Sequence, residues 1–161
     1  MGSDLEHISL SNIHIASREW GTREWANKTV EERATEYPEV TMFHRLPSYG
    51  LYCRQIRGLQ FKHLEFELLE SDLRPALICD DVKDLGLDGF RYATPGDGQP
   101  GIRLINTSQV FLRGSSAPPG TATLLQVKRK GYREDHGDRE RLERGNEGRF
   151  DRGWRARRIR L

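Results

Sequence analysis

At 161 residues the chain is long enough for a single domain with a hydrophobic core, and its net charge of +2 does not by itself indicate a polyanionic partner. No apolar run approaches the length of a membrane span, and the first residues alternate like a strand instead of forming a hydrophobic signal core. The sequence therefore indicates no compartment, and a membrane partner is not expected.

The first predicted element is a short coil over residues 5–15. Its apolar side chains are spaced by three, two, three and two positions, and they are Leu5, Ile8, Leu10, Ile13 and Ile15. A spacing of two is typical of a strand. Each spacing of three is expected to contain a two-residue corner, so this element is predicted to be short strands joined by corners.

Residues 16–49 do not follow this template and are predicted to form a long inserted loop. Long excursions from a repeat usually carry its binding specificity, and aromatic rings suit sugar faces. The candidate substrate-binding residues are Trp20, Trp25, Arg45 and Tyr49. Sugar binding and packing are both open for Trp20 and Trp25. The alternative for the rest of the loop is a lid over the coils, formed by Tyr37, Met42, Phe43 and Leu46.

The template returns in coils at 50–70, 73–94 and 100–116. Apolar residues of the first two recur 26 positions apart, in the pairs Cys53 with Cys79, Ile56 with Val82, Leu59 with Leu85, Phe61 with Leu87, Leu64 with Phe90 and Phe66 with Tyr92. Val110 and Leu112 continue the pattern more weakly. One unit used several times is typical of a solenoid.

A leucine-rich repeat is the main competitor, because it also begins with apolar spacings of three and two. It needs an asparagine or cysteine at a position that here holds Ile13, Leu64, Phe90 and Ser115. Its return segment is usually helical, whereas residues 71–81 contain Pro75 and show no period of 3.6. We therefore predict an all-β fold, a right-handed single-stranded parallel β-helix of about four incomplete coils.

The repeat places Cys53 against Cys79 on neighbouring strands, about 4.8 Å apart. Parallel strands in register point these side chains the same way, which makes disulfide torsions hard to satisfy. Both cysteines are therefore expected to be free thiols.

Two segments carry a resemblance to a known family: YPEVTMFHRLPSYGLYCR, from Tyr37 to Arg54, and RPALICDDV, from Arg74 to Val82. The chain resembles, over roughly residues 5–127, the C-terminal coils of bacterial proteins related to glycoside hydrolase family 28. The resemblance implies a pectate-lyase-like right-handed β-helix and hydrolysis of polygalacturonan or rhamnogalacturonan with inversion. Full-length relatives are expected to be periplasmic or secreted.

The catalytic motifs of that family are an Asn-Thr-Asp, an Asp-Asp, a Gly-His-Gly and an Arg-Ile-Lys segment, and none is present here with its context. Inversion needs an acid and a base facing each other across about 6.5–9.5 Å. The chain also enters the repeat at Leu5 without room for a solenoid cap. We therefore expect a C-terminal fragment of a polysaccharide hydrolase, with no catalytic residues and no activity alone.

Asp80 and Asp81 are the pair that could be mistaken for a catalytic dyad. Neighbours in a strand point to opposite faces, so at most one of them could line a cleft, and a turn or backbone-capping role is expected. The five histidines show no ligand spacing with a cysteine or carboxylate motif, so neither a metal nor another cofactor is predicted.

Residues 128–161 form a basic tail that does not continue the repeat. They carry 13 basic and 7 acidic side chains, against 13 basic and 17 acidic in residues 1–127. An arginine-rich run that begins abruptly inside a repeat is typical of a disordered extension or of a sequence read out of frame. The alternative is an arm that binds nucleic acid, with Phe150 and Trp154 stacking on bases.

Three functions follow from these patterns. The first is the inactive hydrolase fragment, and the second is a non-enzymatic β-helix module that binds glycan or protein through residues 16–49. The third, nucleic-acid binding through the tail, is not favoured. The expected partner is a plant-type polysaccharide or oligosaccharide, and exposed ends of the β-helix would permit self-association.

Overall fold

The computed structural model describes residues 5–18, 20–32 and 43–129. It is nearly all β, with parallel strands stacked in about three turns of a β-solenoid and almost no helix. The predicted fold class is confirmed. The elements are β1 (Leu5–Ser17), α1 (Arg23–Ala26), β2 (Leu51–Leu68), β3 (Leu77–Tyr92), β4 (Ile102–Ile105), β5 (Ser108–Arg113) and β6 (Leu125–Lys128).

One parallel sheet contains the six strands of the described residues, in the order β1-β2-β3-β4-β6, with β5 also paired to β3. The repeat spacing sets the register, because residues 26 positions apart lie side by side on β2 and β3. Leu59 therefore lies between Ile8 and Leu85, and Val110 lies on the far side of Leu85. The apolar matches in the sequence are columns of stacked side chains.

Each spacing of three between inward residues contains a residue with a left-handed backbone. These residues have φ between 48° and 73° and stack in three columns: Gln55, Asp81 and Asn106; His7, Gly58, Asp84 and Gln109; Asn12, His63, Gly89 and Gly114. Glycine, asparagine, aspartate and histidine adopt this conformation more readily than other residues. The predicted two-residue corners are thus bends at single left-handed residues.

The core consists of the inward side chains of the strands, stacked in aliphatic and aromatic columns. Leu59, Leu85 and Phe90 are at most 1% exposed, whereas Val110 at the end of its column is 38% exposed. Phe66 packs edge-on against Phe90, with ring centroids 5.4 Å apart. Burial therefore peaks in the middle layers and falls toward both ends.

Cys53 and Cys79 are register partners and are both free, as predicted. Cys79 is fully buried. Its hydrogen bond with Cys53 and its burial raise the pKa of the Cys79 thiol well above the ordinary value. The pair is part of the hydrophobic core.

Strand β6 is not identified by the sequence pattern, and it extends to Lys128, the first residue assigned to the tail. It lies 23 positions after β4, whereas the preceding offsets are 26 and 25. The predictions made for residues 130–161, and those for Tyr37 and Met42 of the predicted lid, lie outside the described residues.

Candidate functional site

Three of the four predicted site residues lie together on the inserted loop. The Trp20 and Trp25 rings are stacked, with centroids 5.6 Å apart and planes inclined by 30°. The guanidinium carbon of Arg45 lies 4.3 Å from the Trp25 centroid and 5.9 Å from the Trp20 centroid. Trp20 is 58% exposed. We call Trp20, Trp25 and Arg45 the aromatic cluster.

A buried ion pair holds the two parts of the loop that form the aromatic cluster. Asp72 is 0% exposed and Arg74 is 2% exposed, and Arg74 Nη2 donates to Asp72 Oδ2 at 2.7 Å. The same guanidinium donates through Nη1 to the carbonyl of Leu46 at 3.1 Å. The backbone N–H of Leu73 donates to the carbonyl of Gly21 at 3.0 Å. Trp20 precedes Gly21 and Arg45 precedes Leu46, so the segment Asp72–Arg74 positions both.

Gly21 is required at this position because of close packing. A Cβ atom there would overlap Arg74 Nε and Asp72 Oδ1. Those atoms cannot move freely, because they belong to a buried, hydrogen-bonded pair, and breaking such a pair is strongly destabilising.

Short helix α1 places Trp25 within the aromatic cluster. Thr22 is its N-cap, and the Thr22 hydroxyl accepts a hydrogen bond from the backbone N–H of Trp25 at 3.3 Å. At the last residue of the helix, the guanidinium of Arg103 donates to the carbonyl of Ala26. A cation at the last carbonyls of a helix satisfies acceptors that have no partner within it.

Two further arginines hold the loop to the coils. Arg54 donates to the carbonyl of Val30. Arg23 pairs with Asp97, and its Nε lies 2.7 Å from the carboxylate. The loop is thus fixed to the solenoid by charged hydrogen bonds to its backbone and side chains, which are stronger than neutral ones.

Tyr49, the fourth predicted site residue, is not part of the aromatic cluster. It is 6% exposed, and its hydroxyl donates to the carbonyl of Ala93 at 2.7 Å. Burial, followed by the neighbouring Tyr92, raises the pKa of Tyr49 above its usual range. Tyr49 packs in the core and closes the loop against β3.

Asp80 and Asp81 do not line a common cleft. Asp80 is 4% exposed, and its Oδ2 accepts from the Tyr52 hydroxyl at 3.1 Å and lies 3.4 Å from Arg54 Nε. Burial, followed by the charge of Asp80, raises the pKa of Tyr52 to about 12. Asp81 occupies a left-handed corner with φ of 56°. Asp80 therefore pairs with Arg54, and Asp81 forms a bend of the strand.

In the described part of the chain, no group of three or more histidine, cysteine, aspartate or glutamate side chains could hold a metal ion. Nor does any helix there have the length and apolar character to cross a membrane.

The Asp72–Arg74 pair that positions the aromatic cluster was not predicted from the sequence. The available signal was Asp-Leu-Arg immediately before Pro75, where two opposite charges two residues apart precede a buried strand. Charged residues are rarely fully buried unless they are paired. A charged pair at the start of a core strand is therefore a candidate for a structural ion pair.

The fold defines the chain as a parallel β-solenoid protein with an aromatic cluster on an inserted loop. No protein-family model, no curated protein and no solved structure matches the chain. The resemblance to glycoside hydrolase family 28 therefore rests only on the two segments quoted above.

Proposed function

We propose that this chain is a non-hydrolytic, glycan-binding β-helix module that binds acidic, pectin-type polysaccharide at the aromatic cluster. The observation that carries the proposal is Trp20, an indole that is 58% exposed and is held in a stack with Trp25 under a cation. An exposed aromatic ring on a positioned loop is typical of a binding surface.

The chemistry of the cluster suits an acidic sugar. One face of a pyranose ring presents C–H groups, which pack on an indole while the hydroxyls remain in water. An arginine guanidinium binds a carboxylate through two parallel hydrogen bonds. Trp20 and Arg45 are thus the apolar and charged contacts that a galacturonate unit would require. The Asp72–Arg74 pair orders the loop beforehand, which reduces the entropy lost on binding.

The proposal also keeps the origin indicated by the family resemblance, namely the C-terminal coils of a pectin-type glycoside hydrolase. Inverting hydrolysis requires two opposed carboxyl groups. Asp80 is engaged with Tyr52 and Arg54, and Asp81 forms a corner. These two carboxyl groups are therefore not placed as an opposed acid and base, which is consistent with a module that binds without cleaving.

Titration calorimetry with galacturonate oligosaccharides and with uncharged gluco-oligosaccharides of equal length tests the proposal. Trp20→Ala should weaken binding of both ligands at least tenfold, because it removes the stacking surface. Arg45→Gln should weaken binding of the acidic ligand selectively. The matched controls are Phe111→Ala, which removes an exposed ring on β5, and Arg91→Gln, which removes an exposed arginine on β3.

Equal losses for Trp20→Ala and Phe111→Ala would contradict a site at the aromatic cluster, as would an absence of binding to every glycan. Reducing-end assays on polygalacturonate and rhamnogalacturonan should show background rates. Turnover that disappears in Asp80→Asn or Asp81→Asn would overturn the non-hydrolytic assignment.

A further inference from the structure

The two ends of the solenoid expose core positions in different ways. At one end lies β1, which pairs only with β2 among the described strands. Its inward side chains Ile8, Leu10, Ile13 and Ile15 are partly buried, and Leu5 is 60% exposed. This end presents a long parallel edge with apolar side chains beside it.

At the other end, β5 pairs only with β3 among the described strands, and Val110 is 38% exposed. Strand β6 extends one layer further, and its one partner among those strands is β4. Strand β6 pairs with β4, β4 pairs with the start of β3, and the start of β3 pairs with the start of β2. Leu125–Lys128 therefore occupy the same position in their layer as Leu51–Arg54 in theirs. Strand β6 is therefore the first part of a layer whose remainder, above β5, is formed by no described strand.

Strand β1 matches, in register, the missing part of the layer that β6 begins. The register equates Leu5–Ser17 with Ile56–Leu68, which is the rest of β2 after Leu51–Arg54 apart from the corner residue Gln55. Strand β6 and strand β1 together therefore reproduce a β2-like layer except for this one corner position, divided between the two ends of the molecule. We propose that β1 of a second copy of this chain lies on β5, beside β6, so that copies associate head to tail.

The register of this contact follows from the repeat. Continuing the ladder places Ile8 of one copy on Val110 of the other and Leu10 on Leu112, both inward. The left-handed corners coincide as well: His7 and Asn12 of one copy lie on Gln109 and Gly114 of the other, in that order. Strands that bend at the same positions can pair over their whole length.

Charge also permits the contact. The register places Glu6 on Ser108 and Ser11 on Arg113, so this part of the ladder contains no like-charged pair. In the next layer, β2 of the second copy lies on β6, with Leu51 on Leu125. That layer brings Arg54 of the second copy next to Lys128 of the first. The repulsion between these two cations is reduced, because the Asp80 carboxylate of the second copy lies 3.4 Å from Arg54 Nε.

The chain's own continuation does not offer the side chains that this layer needs. In the register of β6, the five apolar template positions after Arg129 fall on charged residues, namely Lys130, Arg133, Asp135, Asp138 and Glu140. Strand β1 supplies Leu5, Ile8, Leu10, Ile13 and Ile15 at the same five positions. A second copy is therefore the occupant that completes the core.

This head-to-tail contact joins two different surfaces and continues the parallel ladder in one direction, so it produces open-ended assemblies and not a closed ring. Sedimentation velocity of the full chain should show a mass that rises continuously with concentration. Leu10→Lys blocks one end and Val110→Lys blocks the other, so each variant alone should be monomeric. An equimolar mixture should form dimers and stop there, because each molecule retains one open end.

Ser9→Lys and Phe111→Lys are the matched controls, because they place the same charge at outward positions of β1 and β5. They should associate like the unmodified chain. A chain that is monomeric at all concentrations would overturn the proposal. Dimers of Val110→Lys alone would overturn it too, since they would show that β1 pairs with a second β1.

A second measurement does not depend on core substitutions. Protein with Ser9→Cys and protein with Phe111→Cys are mixed and treated with a short bismaleimide. The mixture should yield crosslinked dimers at least tenfold above either protein alone, because the register places Ser9 of one copy on Phe111 of the other. The unmodified chain, with Cys53 and Cys79 only, measures the background. Equal crosslinking in all samples would refute the register.

Discussion

Replacement of Leu85 by alanine tests the central feature of the fold, which is the stacking of equivalent side chains in successive layers. Leu85 is 0% exposed and lies between Leu59, which is 1% exposed, and Val110. Removing its three outer carbons forfeits about 2 kcal/mol of transfer free energy at about 0.8 kcal/mol per carbon. The unfilled cavity adds to this, so we expect a loss of about 2–5 kcal/mol.

Val110→Ala is the control, because Val110 belongs to the same column and is 38% exposed at its end. It removes two carbons from a half-covered position and should cost about 1 kcal/mol at most. Leu85→Asp is the severe case, since it buries an unpaired charge, and it should unfold the chain.

Urea unfolding followed by circular dichroism gives the comparison, at a protein concentration low enough to keep the chain monomeric. A difference of at least about 1 kcal/mol between Leu85→Ala and Val110→Ala is expected from the estimates above. Equal losses for the two variants would refute the reasoning that burial in this column peaks in the middle layers. A Leu85→Asp variant with an unchanged melting temperature would refute the stacked column itself.

Three further results are expected. Gly21→Ala should cost about 1–3 kcal/mol in urea unfolding, because the added methyl overpacks the loop against the buried ion pair. The tryptophan emission of the Gly21→Ala variant should differ from that of the unmodified chain, because the Trp20–Trp25 stack is displaced. Tyr49→Phe should cost about 1 kcal/mol, measured the same way, by removing a buried hydrogen bond. Arg113 lowers the pKa of Asp88 through a hydrogen bond. The stabilisation by this pair is therefore present above the pKa that Asp88 has in the unfolded chain, and it is lost as pH falls through the pKa in the folded chain. In the Arg113→Gln variant, NMR titration should show the Asp88 pKa returning toward its ordinary value.

The coils could be predicted from the sequence because the core is a set of columns. A column keeps one residue type at one spacing, so Leu59 and Leu85 reveal their contact 26 positions apart. Strand β6 was missed because its offset from β4 differs from the earlier offsets. A short strand with a shifted period cannot be separated from a polar loop by pattern alone.

The site could be predicted only in part. Trp20, Trp25 and Arg45 were candidates by residue type, and the structure brings them together. Tyr49 shares their chemistry but lies next to the start of β2, where the chain enters the core. Asp72 and Arg74 are neighbours in the sequence, but the decisive contact is the one that Arg74 makes with the carbonyl of Leu46. That contact joins distant parts of the chain, so a local pattern could not reveal it.

The left-handed corner columns limit how this molecule can change length. A deletion of one residue inside a strand would move the next corner out of its column and turn every following side chain to the opposite face. Removal or duplication of 26 residues between equivalent corners would leave all columns aligned. Insertions between coils, such as the loop that carries the aromatic cluster, leave them aligned as well. The chain is therefore expected to grow or shrink in whole layers, and its surface to diversify through the loops between them.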